Sequence, residues 1–526
     1  MEKALFPVTA LVLTMTLSSD TFTYFSSTLC FVALLYACKN RALRGPLPLP
    51  PGPRGLPLIG NVFDVNFTEP WLTYEEWGKQ YGDILHAKLL GKDLIVVNSE
   101  RVARALLEQR STIYSDRPHI PTNKLFGMDF NTGLLPYGSE WRLHRRMFRV
   151  ALNKEVAATY KLLEVRKVHQ LLRNLLSSPE EYYQHFNTLS AAIIMAVAYG
   201  YDVTPQNDPF VSKLVRLLSL FLDSLSPERA ALIGVIPLLA YIPSWFPGGR
   251  YKQRAKECRI LARDILDGPV DYVKGCIDAG TATKSMVYDL IRGSYGSSQS
   301  HDDAVKAVAA TVFLGGVETT HATLLVFVLA MVLHPEVQTK AQEEIDRVVG
   351  SDRLPDFNDR PNLPYVEGVF LETFRWHPVS PMGLPHMTTT SDIFEGMYIP
   401  KGAIILTNLW AMAHDESRFP DPLIFNPARH LTPSGDLAEG TATDPFGFGR
   451  RYCPGKYVAD QTVWATIVSV LATMRIEKAR DHCGNEINVI PEFTGGLSNR
   501  PKPFCCSIKA RSLTAEELIR TSHDGD

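Results

Sequence analysis

Between Asp302 and Leu333 no proline interrupts the chain, and the first stop signal is His334-Pro335. As one helix this stretch would run about 48 Å, longer than most globular helices and enough to cross the domain that contains it. From about residue 100 to 349 apolar residues recur at three- and four-residue steps, so helix is expected throughout. Two short alternating stretches, 84–90 and 93–97, read as strands of a small sheet. After Pro378 the chain turns often, with Gly396, Pro400 and Gly402 punctuating short strands. The expected class is mainly α with a minor β part.

A length of 526 residues allows three or so domains. After residue 60, however, no long Gly/Ser tract, low-complexity block or internal repeat breaks the sequence. Residues 61–526 therefore read as one domain. The charge balance, 54 basic against 56 acidic residues, gives no case for nucleic acid. The eight cysteines are scattered, which is no disulfide framework and fits a reducing compartment.

Residues 1–45 read as a membrane anchor. From residue 4 to 38 the only charge is Asp20, with apolar stretches on either side at 4–17 and 22–38. The second, the expected transmembrane helix, would span about 25 Å against a hydrocarbon core of ~30 Å, and serine and threonine at its ends can extend it. Lys39, Arg41 and Arg44 follow at once, which places the body of the protein in the cytosol. A cleaved secretory signal is the rival reading, but no Ala-x-Ala site follows. Whether residues 4–17 also enter the bilayer stays open. Residues 46–60 form a proline-rich hinge, stiff and extended.

Four motifs carry chemistry. Cys453 lies in FGFGRRYCPG at 446–455, one thiol in a glycine-rich loop with Arg451 before it and Gly455 after it. No second cysteine or histidine stands at metal-clip spacing, so a structural zinc site does not fit. A lone thiolate in a stiff loop suits one axial bond to a haem iron. The long stretch contains GGVETT at 315–320, where two glycines in a helix interior cost roughly 1 kcal/mol each. That cost is tolerated where the backbone must open or a ligand approach closely, and Glu318 and Thr319 could hold water and pass protons. A helix-packing glycine pair is the equal alternative. Glu372 and Arg375 share a helix face, and Arg429 stands where it could join them. Trp141 and Arg145, a WxxxR pair, suit a carboxylate through one indole N–H and a planar fork. Arg142, Arg145, Arg146 and Arg149 could instead be a plain basic face, part of which could steer an electron-transfer partner.

In this order and spacing, FxxGxRxCxG, (A/G)Gx(D/E)T(T/S), ExxR and WxxxR resemble the microsomal class II cytochromes P-450, and the resemblance covers nearly the whole chain. It implies the cytochrome P-450 fold behind an N-terminal transmembrane anchor, with Cys453 as axial thiolate and iron ligand of haem b. Phe446, Gly449 and Gly455 would let the loop lie close to sulfur and haem. Trp141, Arg145, Arg451 and His386 would meet the propionates, and Gly315 and Gly316 would face haem and oxygen. Glu318 and Thr319 would deliver protons. Glu372, Arg375 and Arg429 match the structural triad, although the usual Pro-Glu-Arg-Phe is here Pro-Ala-Arg-His, which leaves the packing of that corner open.

The implied reaction inserts one oxygen atom from O₂ into an organic substrate, with NADPH electrons delivered by a separate NADPH-cytochrome P-450 reductase. The implied location is the endoplasmic reticulum membrane, single-pass, catalytic domain toward the cytosol. Residues 70–78 and 448–455 look most like fungal enzymes of the O-methylsterigmatocystin oxidoreductase type, whose relatives work in secondary metabolism on terpenoids, polyketides or indole amines. By the same resemblance, substrate contacts fall at 118–134, 313–317, 379–384 and 494–497, where Phe126, Met128, Val379, Met382 and Leu497 are apolar. Each could equally be core. A hydrophobic, poorly charged substrate is expected, a terpenoid first. The rivals are a haem-thiolate isomerase or dehydratase, which needs no external electrons, and a non-catalytic haem protein.

Overall fold

In the computed structural model the expected long helix is a single element, Gln299–Leu333. The structure describes residues 46–57, 59–204, 207–224, 250–293, 299–441 and 443–522. The expected anchor, residues 1–45 with its helix at 22–38, lies outside them. Among the described residues this is the one helix long and apolar enough to cross a membrane, yet 78% of its apolar window is buried inside the protein. It is therefore a core helix, buried by its neighbours rather than by lipid.

Its main partner is the helix Tyr182–Tyr199, whose last eleven residues, from Leu189 to Tyr199, are all buried. Helices Ser139–Ala151 and Lys456–Thr473 pack along it as well. The helix ends because Pro335 cannot continue it and holds His334 at φ −126°, ψ 67°. Pro335 then opens the next helix, Pro335–Val348, where its missing N–H is no loss.

The β part is small. Strands β1 (Ile84–Leu89) and β2 (Lys92–Val97) form a hairpin with Ile84 opposite Val97. Its two-residue turn puts Leu90 and Gly91 at φ 49° and 76°, the positive angles a tight hairpin turn needs. Two further strands complete this sheet in the order β1-β2-β6-β3, where β3 is His386–Met387 and β6 is Ile404–Thr407. Between them β4 (Asp392–Phe394) and β5 (Met397–Ile399) make a separate hairpin. The last pair is β7 (Met474–Lys478) with β8 (Cys506–Ala510).

The proline-rich segment is bound to the sheets rather than free-standing. Pro48 accepts a backbone hydrogen bond from Tyr398 in β5 at 2.7 Å, and Pro51 accepts one from His86 in β1 at 2.9 Å. Gly52 lies so close to β1 that a Cβ would stand 1.9 Å from the His86 carbonyl oxygen.

Candidate active site

The cysteine loop is shaped by its neighbours. Cys453 N–H donates to the Phe446 carbonyl at 3.0 Å, closing the loop on itself. A Cβ on Gly455 would lie 4.0 Å from the Cys453 sulfur, an ordinary contact. Gly449 differs: at φ +62°, its Cβ would fall 1.9 Å from the Leu107 carbonyl oxygen. Its constraint comes from the segment Ala105–Gln109 and not from the sulfur. The Phe446 ring packs 5.7 Å from Phe374. Burial pushes the Cys453 thiol up, against the Gly455 backbone N–H and the charges of Arg145 and Lys456, which favour thiolate.

Arg145 belongs to the helix Ser139–Ala151 and donates to the Tyr452 carbonyl at 2.9 Å, next to the cysteine. Its neighbours Arg142, Arg146 and Arg149 are exposed, so the basic face divides into one inward arginine and three outward ones. Trp141, nearly buried, is sandwiched by cations: Arg451 stands 4.5 Å from its ring and Arg145 5.9 Å. Arg451 donates to the carbonyls of Ser115 at 2.9 Å and Leu135 at 2.8 Å. Burial brings it down to about 10, with Asp116 opposing and Arg145 adding to the shift. His386 is buried on β3, hydrogen-bonded to the Tyr114 carbonyl at 2.8 Å. Burial and the charges of Arg117 and Arg451 hold its imidazole far below the usual histidine range.

Arg117 was not among the expected site residues. It is buried, and its guanidinium reaches the carbonyls of Gly133, Leu384 and Pro385 at 2.8, 2.7 and 2.6 Å. Burial and the nearby Arg451 push it well below the ordinary arginine value. Among the described residues none of Arg117, Arg145 and Arg451 is ion-paired; every hydrogen bond of their guanidiniums is to a carbonyl. Arg117 is buried and Arg145 and Arg451 are half-buried, with Asp116 the one carboxylate acting on them among the described residues, so this cluster favours a further anion. Three positive charges match a haem's two propionates plus one thiolate, so the donor set fits that group. Among the described residues no cluster of three or more His, Cys, Asp and Glu could hold a metal ion by itself, which leaves the single cysteine ligand.

Gly315 and Thr319 are accessible in a helix centre that is otherwise mostly buried, and mark an opening there. Thr311, Gly315 and Thr319 lie four residues apart and share a face. The loop is hooked to this face: Arg451 reaches the Thr132 carbonyl at 3.5 Å, and Thr132 N–H donates to Thr311 Oγ1 at 3.1 Å. Thr132 also meets His144 at 2.9 Å. Thr319 Oγ1 donates to the Gly315 carbonyl at 2.7 Å, so its lone pairs remain free to accept. Gly315 has open space where a Cβ would be, whereas a Cβ on Gly316 would stand 2.5 Å from Ile194 Cδ1. Gly316 thus packs on the neighbouring helix while Gly315 faces the opening. Glu318 points elsewhere and is ion-paired with Arg500.

The structural corner is complete. Glu372 receives two bonds from Arg375, both 2.7 Å, one from Arg429 at 3.0 Å and one from Asn426 N–H at 2.9 Å. His430 fills the remaining side at 2.9 Å. Gly368 lets the helix Pro364–Trp376 close on this turn, since a Cβ would lie 2.9 Å from the Pro427 carbonyl. Of the expected substrate contacts, Phe126, Met128 and Phe313 are buried in the main core, and Met382 packs against the sheet core instead. Val379 and Leu497 are partly accessible.

Arg117, Thr132 and Arg500 carry no motif of their own; their roles come from partners distant in sequence.

Comparison with known proteins gives one consistent result. The family model "Cytochrome P450" matches residues 50–506. The chain is 39% identical to cytochrome P450 monooxygenase claR of Ampulloclitocybe clavipes, covering 90% of this chain and 89% of that one. It is 38% identical to cytochrome P450 monooxygenase ple1 of Rhodocybe pseudopiperita, over 90% and 91%. It is 36% identical to cytochrome P450 monooxygenase COX1 of Coprinopsis cinerea, over 93% and 96%.

Proposed function

The chain belongs to the cytochrome P450 family of haem-thiolate monooxygenases, and on that premise we propose that it hydroxylates a hydrophobic, uncharged small molecule of fungal secondary metabolism, a terpenoid first. The balanced reaction is RH + O₂ + NADPH + H⁺ → ROH + H₂O + NADP⁺, with electrons passed by a separate membrane-bound reductase. The observation that carries this reading is the link Arg451–Thr132–Thr311, which hooks the cysteine loop to the helix face bearing Gly315 and Thr319. Haem supplies the oxygen activation when bound. Cys453 would supply the thiolate that holds its iron, and Arg117, Arg145, Arg451, His386 and Trp141 would hold its anionic edge. Thr319 Oγ1, already donating to Gly315, keeps its acceptor sites turned to the opening, where it can hold a water. Glu318, the adjacent acid, is held by Arg500 and would have to turn to exchange protons with that water. The partly accessible Val379 and Leu497 present apolar surface to the substrate, which supports an uncharged one.

We assign the chain to the endoplasmic reticulum membrane, with the domain toward the cytosol, on the charge pattern after residue 38. The test is to express the full chain in membranes and record haem absorbance during titration with terpenes, aromatic polyketides and indole amines. A spin shift with terpenes, and product that requires NADPH and reductase, is expected. Product formed without NADPH would instead make the enzyme an isomerase or dehydratase. A shift with another class alone would overturn the terpenoid choice.

A further inference from the structure

Glu318, the acid next to Thr319, is not turned to the opening; a loop from the far end of the chain holds it. Arg500 Nη1 pairs with Glu318 Oε1, and Ser498 Oγ donates to the same oxygen at 3.2 Å. The carboxylate is largely shielded, with 14% of the side chain accessible. Tyr183 is a second partner of the Arg500 guanidinium, but the Arg500 Nε is buried with no hydrogen-bond partner among the described residues. An unmatched buried donor weakens the hold of the position it occupies.

Residues 494–500 form a tight strap. Thr494 N–H donates to the Arg500 carbonyl at 3.0 Å, and Arg500 N–H returns to Thr494 Oγ1 at 3.2 Å. Gly495 and Gly496, at φ 71° and 81°, make its tip, and Gly496 N–H donates to the Thr68 carbonyl at 3.3 Å. Asn499 N–H donates to the Val379 carbonyl at 2.7 Å. Leu497 sits between these ties and is partly accessible. The strap that carries Leu497, which the proposed function places against the substrate, also carries the two donors that fix Glu318.

We propose that Arg500 is the positioning residue for Glu318, and that a substrate pressing on Leu497 loosens the strap and frees the acid to turn toward Thr319. This rests on the oxygenase reading above. Without substrate the latch keeps protons from reaching the opening, which limits the wasteful reaction NADPH + H⁺ + O₂ → NADP⁺ + H₂O₂. With substrate displacing the strap, the proton supply opens when there is something to oxidise.

The experiment compares the haem-loaded full chain with R500Q, R500K, S498A and the double variant E318Q/R500Q, each with reductase and NADPH and no added substrate. Peroxide release per haem is expected to rise about tenfold in R500Q, less than the roughly 100-fold or more of a fully positioned acid, since the freed acid is only partly placed. The rise is expected to vanish in E318Q/R500Q and to be small in R500K. S498A, which keeps both charges, should give about a twofold rise, as loss of one hydrogen bond would. Hydrogen exchange supplies a readout independent of turnover: amides at 494–500 should exchange faster in R500Q and S498A, with the rest of the domain unchanged. Unchanged peroxide release in both R500Q and S498A, or a rise that persists in the double variant, would overturn the latch. If the wild-type protein shows no thiolate haem band, the oxygenase reading falls first and takes this inference with it.

Discussion

His430 Nε2 lies 2.9 Å from Glu372 Oε2, with both side chains fully buried. The sequence departs from the usual pattern at this position, and the structure shows what the departure does: an imidazole supplies the carboxylate with a donor that a phenyl ring cannot. Burial alone would raise Glu372, but hydrogen bonds from Arg375 and His430 and the charge of Arg375 hold it at about 2. A carboxyl depressed from its ordinary value of 4.5 stabilises the fold fully above about pH 4.5, and that contribution is lost as pH falls toward 2. H430F keeps an aromatic ring but removes one donor. Its acid unfolding, followed by tryptophan fluorescence, is expected at higher pH than in the wild type, with a loss of about 1–2 kcal/mol at neutral pH. Coincident acid limbs would show that His430 contributes nothing to the carboxylate.

Arg117 reaches three carbonyls from a buried position. R117A leaves these unmatched and removes a buried cation beside Arg451, so a loss of about 3 kcal/mol is expected. The haem should transfer to apomyoglobin faster. R117K, which keeps charge without the fork, should fall between them.

Gly449 cannot carry a side chain where it stands. G449A would set a methyl 1.9 Å from a backbone oxygen that has no flexible end to yield. The expected outcome is a displaced cysteine loop, read as loss of the thiolate band in the carbon monoxide difference spectrum. G455A should retain the band, because its Cβ would meet the sulfur at contact distance.

The paired glycines 315 and 316 separate by the same reasoning. G315A enters open space and gains up to about 1 kcal/mol of helix propensity, so the melting temperature should rise. Its methyl stands on the Thr319 face, and turnover should drop several-fold as access narrows. G316A must turn the end of Ile194 aside, so its melting temperature should gain less than that of G315A. Equal stabilities for the two would refute this division.

Glu164 is fully buried, and burial raises it to about 8 despite a bond from Thr462. The raised carboxyl favours the fold most below pH 4.5, and this advantage is lost progressively as pH rises to about 8. E164Q removes the ionisation. The variant should match the wild type near pH 4.5 and exceed it by about 2–4 kcal/mol at pH 8 in denaturant unfolding. A stability difference independent of pH would contradict the buried-acid account.

The long helix, the Glu372–Arg375 pair and the cysteine loop were legible because each is local: a period, a spacing of three, a run of ten. Spacing alone leaves Arg145 either a carboxylate binder or part of a plain basic face, and packing turns it inward to Tyr452 while its neighbours stay outside. Gly449 was expected to serve the sulfur, and the carbonyl that constrains it belongs to Leu107, hundreds of residues earlier in the chain. The Glu318–Arg500 pair spans 182 residues, and no local pattern in either segment announces it. Thr132 is similar, 179 residues from the Thr311 hydroxyl it binds. Contacts of this kind depend on how helices cross, which spacing along one strand of sequence does not encode.

The two hydrogen bonds of the proline-rich segment run to different sheets, Pro51 to β1 and Pro48 to β5. A pull applied at residue 46 meets the bond at Pro48 first and the bond at Pro51 only after it, so two sheets must let go in turn before the segment comes away. The domain meets whatever precedes it through a joint riveted at two points.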